Sequence, residues 1–231
     1  MMTNPNTGLP DSLAIARMID QTLLKPYASD EELAAFCRES AQYHFAMVAI
    51  NSAPVALCRS VLQNSDVHVG AAIGFPLGQT TIDVKCYETE RAIAEGADEI
   101  DYVVNIGKLK SGCWDYIEEE MSRIVSLCRK HQKLSKVIFE NCYLTDEEKK
   151  RLCQIALKVR PDFVKTSTGF GTGGATVEDV RLMKSMVGDE IGVKAAGGIR
   201  TLEDALAMIE AGATRIGTSA GVKIVEEIKA R

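Results

Sequence analysis

Short apolar runs recur along the chain, and stretches with helical spacing separate them. Eight of these runs predict strands: residues 17–24 (RMIDQTLL), 46–51 (AMVAIN), 67–75 (VHVGAAIGF), 99–105 (EIDYVVN), 136–141 (KVIFEN), 162–167 (DFVKTS), 191–196 (IGVKAA) and 214–219 (TRIGTS). Most are nearly continuous in apolar residues, the pattern of parallel strands buried on both faces. The intervening helices have readable ends. Ser29 with Glu32 and Thr145 with Glu148 make capping boxes. Thr176 and Thr201 precede acidic first turns, which suit the positive end of a helix dipole. Gly96 and Gly212 close two helical stretches as C-cap signals.

Eight strand–helix units in 231 residues leave about 29 residues per unit, near the lower end for a (β/α)8, or TIM, barrel. The fold expected is therefore α/β, a TIM barrel spanning residues 1–231 as a single domain with a short N-terminal extension. An open doubly wound sheet is the alternative, but no GxGxxG follows the first strand. No Pro-, Gly- or Ser-rich linker divides the chain.

The formal net charge is −5, without a basic excess, which argues against nucleic acid or an anionic membrane as the main partner. No apolar run is long enough to span a bilayer. The opening segment MMTNPNTGLPDS lacks the apolar core of a signal peptide. Seven widely spaced cysteines form no CxxC pair, and the three histidines form no ligand motif. Buried free thiols in a reducing cytoplasm are the plain reading, and neither a metal nor another cofactor is indicated.

In a barrel of this kind the chemistry sits at the C-terminal ends of the strands. Those ends carry Asp20, Lys25, Asn51, residues 74–78, Asp101, Asn105, Glu140, Asn141, residues 165–174, residues 194–200 and residues 217–221. Lys165 and Lys194 hold equivalent places on successive strands. Alternation puts Lys165 on the face of Ser167, toward the barrel mouth. A lone lysine at a strand end is ordinarily a solvated surface group. Burial beside a second ammonium changes that, because both lower its pKa and leave a free amine able to form a Schiff base. Lys194 is a pKa-lowering neighbour, a phosphate counter-ion or a salt-bridge partner, and periodicity does not decide which lysine is the nucleophile. Asp101, within an apolar strand, needs a cation partner and can relay protons through water. The glycine loops GGIRT and GTSAG follow the last two strands, where backbone amides can approach a phosphate. GFGTGG after Lys165 can close over the same phosphate, with Arg200 assisting or pairing on the surface.

Taken together, IDQTLLKP, IGFPLG, EGADEIDYVVN, KVIFENCYLT, VKTSTGFGTGGAT, VKAAGGIRT and GTSAG resemble the deoxyribose-phosphate aldolase family, in order and over nearly the whole chain from Ile19 to Gly221. The resemblance implies a metal-free class I aldolase on a TIM barrel, cleaving 2-deoxy-D-ribose 5-phosphate to D-glyceraldehyde 3-phosphate and acetaldehyde. It implies Lys165 as the Schiff-base lysine, Lys194 as the second active-site lysine and Asp101 as proton donor and acceptor. Asp20, Asn51, Thr168, Gly169, Gly197, Gly198, Gly217 and Ser219 are the substrate and phosphate residues it implies. Its partners would be a phosphosugar and an aldehyde, in the cytoplasm, with room for a homo-oligomer. Gln21, Ser52 and Asn141 depart from the family pattern, which bears on specificity and on the activation of water rather than on the lysine pair. Two other readings compete: a phosphosugar isomerase using a carboxylate base such as Glu140, and a phosphosugar sensor that has kept the pocket.

Overall fold

The structure, a computed structural model, describes residues 11–231, so most of the expected N-terminal extension lies outside the described residues. Eight parallel strands close a barrel in chain order: β1 (Ile19–Leu23), β2 (Met47–Asn51), β3 (His68–Ile73), β4 (Glu99–Val103), β5 (Leu134–Ile138), β6 (Phe163–Lys165), β7 (Gly192–Ala196) and β8 (Arg215–Thr218). β8 pairs back onto β1 with Asp20 opposite Gly217, which closes the cylinder and removes the open-sheet alternative. The fold is the TIM barrel that the strand rhythm predicts.

Among the described residues, ten helices surround it: α1 (Ser12–Ala16), α2 (Asp30–Gln42), α3 (Val55–Val61), α4 (Ile82–Ala94), α5 (Ile106–Lys110), α6 (Trp114–Lys130), α7 (Asp146–Val159), α8 (Val177–Val187), α9 (Leu202–Glu210) and α10 (Gly221–Lys229). The capping boxes at Ser29 and Thr145 form, Thr176 accepts from the Asp179 amide, and Thr201 makes a further box with Asp204. Gly96 and Gly212 leave their helices at φ 106° and 111°, where a side chain would be strained.

The main differences lie at strand ends, where polar side chains take over from the ladder. β1 begins at Ile19 rather than residue 17, because α1 and a turn occupy the preceding residues. β4 stops at Val103, and Asn105 caps the short α5 by accepting from the Lys108 amide at 3.1 Å. β5 runs from Leu134 to Ile138, after which Glu140 turns left-handed and residues 141–143 form a 3-10 turn. β6 ends at Lys165 because Thr166 Oγ1 replaces part of the ladder, accepting from the Ala196 amide at 3.1 Å and donating to the Ala196 carbonyl at 3.2 Å.

Two environments result from the alternation along each strand. Ile100 and Tyr102 face the helices and join the apolar shell with Val137, Val193 and Ile216. The opposite face turns into the barrel, where β4 carries Glu99 and Asp101. Register sets Asp101 beside Lys136 and Lys165 beside Lys194. Apolar strands thus enclose a charged interior.

Candidate active site

The barrel axis holds one connected ion network. Asp101 Oδ1 accepts from Lys136 Nζ at 2.7 Å, while its Oδ2 accepts from Lys165 Nζ at 2.8 Å and Lys194 Nζ at 2.6 Å. Lys194 also pairs with Asp20 at 2.6 Å, and Asp20 with Arg215 at 2.9 Å. Arg215 meets Glu99 at 2.6 Å, and Lys136 bonds Glu99 as well. His68, half-exposed, bonds Glu99 at 2.8 Å.

Inside the barrel, the cations Lys136, Lys165, Lys194 and Arg215 therefore face the carboxylates Asp20, Glu99 and Asp101. One cation is in excess, and buried charge is costly unless paired. The network resolves this at Lys165. Its burial, with Lys194 and Lys136 adding to the effect, pushes its amine down to about 8 despite the Asp101 carboxylate. Lys136 goes the other way: burial opposes its charge, but Asp101, Glu99 and Asp20 outweigh burial and raise its pKa. Burial likewise opposes ionised Asp101, yet Lys136, Lys165 and Lys194 hold it well below the usual carboxylate range.

Exposure separates the two lysines that register makes neighbours. Lys194 is 0% exposed, whereas Lys165 retains 4% and opens into a cavity of about 760 Å³ at the C-terminal mouth. Thr168, Gly169, Gly197, Gly198, Gly217 and Ser219 line the same cavity, as do Lys25 and Arg200. Gly169, Gly197 and Gly198 sit at φ 87°, 86° and 84°, where only glycine is comfortable, so their backbone faces the space without side chains over it. The N-terminus of α9 is already engaged, since the Leu202 amide donates to Glu227 at 2.8 Å and the Asp204 amide to Thr201 Oγ1 at 3.1 Å. At α10 the N-cap residue, Ala220, supplies no side-chain cap, while the Ala220 amide donates to Thr218 Oγ1 at 2.9 Å and the Gly221 amide to Gln21 Oε1 at 3.0 Å.

Two residues assigned to the substrate from sequence lie apart from this wall. Asp20 is fully buried beneath the lysines and is occupied by Lys194 and Arg215. Asn51 lines a separate hollow of about 280 Å³ beside Pro26 and Pro54, and its side chain donates to the Leu24 carbonyl at 3.4 Å. Gly217 has a second duty. A Cβ there would stand 2.8 Å from Ala196 Cβ and 3.2 Å from Lys194 Cε, so the glycine makes room for Lys194. Gly217→Ala is expected to destabilise the protein by about 1–3 kcal/mol through overpacking, as read by chemical denaturation.

Lys136, Glu99 and Arg215 were not singled out from sequence. Their signal was a charged residue inside an apolar strand, the same one that marked Asp101. The departures fall outside the lysine cluster. Gln21 accepts from the Gly221 amide at 3.0 Å, tying β1 to α10. Ser52 donates to Glu88 at 2.7 Å, and Asn141 reaches Met183 Sδ at 3.3 Å. Among the described residues, no group of three His, Cys, Asp or Glu is placed to hold a metal, and no helix is long and apolar enough to cross a membrane.

The pattern of the DeoC/LacD family aldolases matches residues 14–227. The chain belongs to this aldolase family. Deoxyribose-phosphate aldolase of Lactobacillus acidophilus is 55% identical over 216 residues, covering 94% of this chain and 91% of that protein. That of Thermococcus kodakarensis is 56% identical over 214 residues, covering 92% and 96%. Among solved structures, a tetrameric deoxyribose phosphate aldolase from Aeropyrum pernix matches with a TM-score of 0.89 at 33% identity, covering 95% of this chain and 93% of that one. This aldolase is accordingly an enzyme of the lyase class, and the isomerase and sensor readings lose their ground.

Proposed function

We propose that this aldolase reversibly cleaves 2-deoxy-D-ribose 5-phosphate to D-glyceraldehyde 3-phosphate and acetaldehyde, in deoxyribose phosphate breakdown, through a Schiff base on Lys165. The relatives' activity supports the substrate. The observation that carries the mechanism is that Lys165 is the network amine open to the cavity, and it is held near neutrality.

The neutral Lys165 amine adds to the C1 aldehyde of the open-chain sugar, and loss of water gives the iminium ion. The C2–C3 bond then breaks, with its electron pair drawn into the iminium to leave an enamine. The C3 hydroxyl gives up its proton toward the Asp101 carboxylate, relayed by water, and departs as the aldehyde of glyceraldehyde 3-phosphate. Protonation of the enamine carbon and hydrolysis release acetaldehyde and restore the amine. Asp101, 2.8 Å from Lys165 Nζ, keeps a negative charge beside the nitrogen while it is cationic. The phosphate is held at the glycine wall and the N-terminus of α10, with Arg200 at the rim. Lys165 in its cavity supports this reading over an isomerase based on Glu140, whose carboxylate is occupied by Thr168. The tetrameric relative makes a homo-oligomer the expected state.

Acetaldehyde followed by borohydride, with peptide mapping by mass spectrometry, tests the chemistry. The reduced adduct is expected on Lys165, and an adduct on Lys194 alone, or none, would reject the assignment. The same amine sets the pH response. Below its pKa it is protonated and inert, so kcat/KM is expected to climb as pH rises through about 8. A profile that stays flat through that pH counts against Lys165 as the titrating nucleophile.

A further inference from the structure

The carboxylate of Glu140 lies just outside the barrel network, and the chemistry above leaves it unused. It is 2% exposed, yet it is spent on a loop rather than on a cation. One oxygen accepts from the Thr168 amide at 3.1 Å, and the other accepts the Thr168 hydroxyl proton. Thr168 Oγ1 accepts in turn from the Phe170 amide at 3.0 Å. A single acid thereby fixes both sides of Gly169.

The backbone carries the same connection. Glu140 sits at φ 58° and ψ 62°, a left-handed conformation rarely held by a side-chain-bearing residue unless its surroundings impose it. Its two neighbours impose it here. The Phe139 amide donates to the Lys165 carbonyl at 2.9 Å, and the Asn141 amide to the Thr166 carbonyl at 2.9 Å. The strained residue is thus pinned to the catalytic lysine's own backbone and to the next residue along. The loop also packs closely on it. A Cβ on Gly171 would stand 3.2 Å from Glu140 Cδ, and one on Gly174 would stand 2.3 Å from the Gly197 carbonyl oxygen. The loop after Lys165 is clamped between the ends of β5 and β7, with Glu140 as the polar side of the clamp.

We propose that Glu140 is a positioning residue that holds residues 168–171 in the shape that presents the Gly169 backbone to the substrate's phosphate. This rests on the reading above that the glycine wall takes the phosphate. It is distinct from the lysine chemistry, because Glu140 bonds no member of the charged network; its partners are the Thr168 amide and hydroxyl and, at 4.0 Å, the Cys142 thiol.

The test is a kcat and KM comparison of Glu140→Ala, Glu140→Gln and Glu140→Asp with 2-deoxyribose 5-phosphate and with unphosphorylated 2-deoxyribose. Glu140→Ala is expected to raise KM for the phosphorylated sugar by about tenfold to a hundredfold, the worth of a lost hydrogen bond to a charged group. The efficiency on unphosphorylated sugar should stay nearly unchanged. Glu140→Gln keeps an acceptor for the Thr168 amide and should recover most of the loss. Glu140→Asp draws the carboxylate back from Thr168 and should reproduce the selective defect in milder form, so it reads the same contact if Glu140→Ala fails to fold. An equal loss on both sugars, or no change in KM, overturns the positioning role. Wild-type enzyme inactive on both sugars would instead overturn the function on which it rests.

Discussion

Lys165→Ala is expected to lower turnover on 2-deoxyribose 5-phosphate by on the order of 10⁵-fold or more, the scale seen when a covalent nucleophile is removed. Borohydride should then trap no acetaldehyde on the protein. The fold should survive, because Asp101 keeps Lys136 and Lys194 as partners at 2.7 Å and 2.6 Å. Removing Lys165 also brings the remaining buried cations, Lys136, Lys194 and Arg215, level with the carboxylates Asp20, Glu99 and Asp101. A near-normal unfolding midpoint with abolished trapping would separate chemistry from structure. Lys194→Ala supplies the contrast. It strips Asp20 and Asp101 of a shared cation, and Lys165 would still be labelled by acetaldehyde and borohydride, more slowly. Labelling of wild-type strength in Lys165→Ala would overturn the nucleophile assignment outright.

Asp101→Asn should damage stability and rate together. The substitution keeps the shape but leaves Lys136, Lys165 and Lys194 without the carboxylate they share. Breaking a buried pair from one side costs about 3–5 kcal/mol, because the partners stay buried and uncompensated. For a chain of this size that corresponds to a fall in Tm of roughly 6–20 °C. Turnover should drop by about 10²–10⁴-fold with the proton relay gone. The sign of the pH effect follows from the causes acting on Lys165. Burial lowers its pKa and Asp101 raises it, so losing the carboxylate moves the amine further down from about 8. The rising limb of kcat/KM should therefore shift to lower pH, although the whole profile lies far below that of the wild type. A limb that stays in place, or moves up, would show that Asp101 does not govern the Lys165 amine.

The same residues show how far the sequence could be read. Asp101 was identifiable because a carboxylate inside EIDYVVN has no cheap place to go without a cation. Lys136 heads KVIFEN with the same signal, but a lysine at the start of a predicted strand resembles an exposed terminus. Glu99 and Arg215 also stand at the first residue of their strands, and in a barrel those positions turn inward rather than to solvent. Asp20 looked like a substrate contact at a strand end, yet β1 runs on to Leu23 and leaves it beneath the lysines. Asn51 does close its strand, but points toward Leu24 and a neighbouring hollow. Glu140 looked like a possible base, and its left-handed backbone turned it onto Thr168 instead.

By itself the sequence determined the eight strands, the caps between them, the barrel and the family. Those features are encoded locally, in periodicity, in side chains that bond their own backbone, and in unbroken motifs. It also placed two lysines at equivalent strand positions. What only the tertiary structure decided was the surroundings of each. Lys165 and Lys194 stand side by side in register, but Lys165 opens to the cavity while Lys194 is sealed between Asp20 and Asp101. That difference arises from residues far apart in the chain brought together by barrel closure. Burial and the field of such distant charges lower the pKa of Lys165, the amine that opens to the cavity.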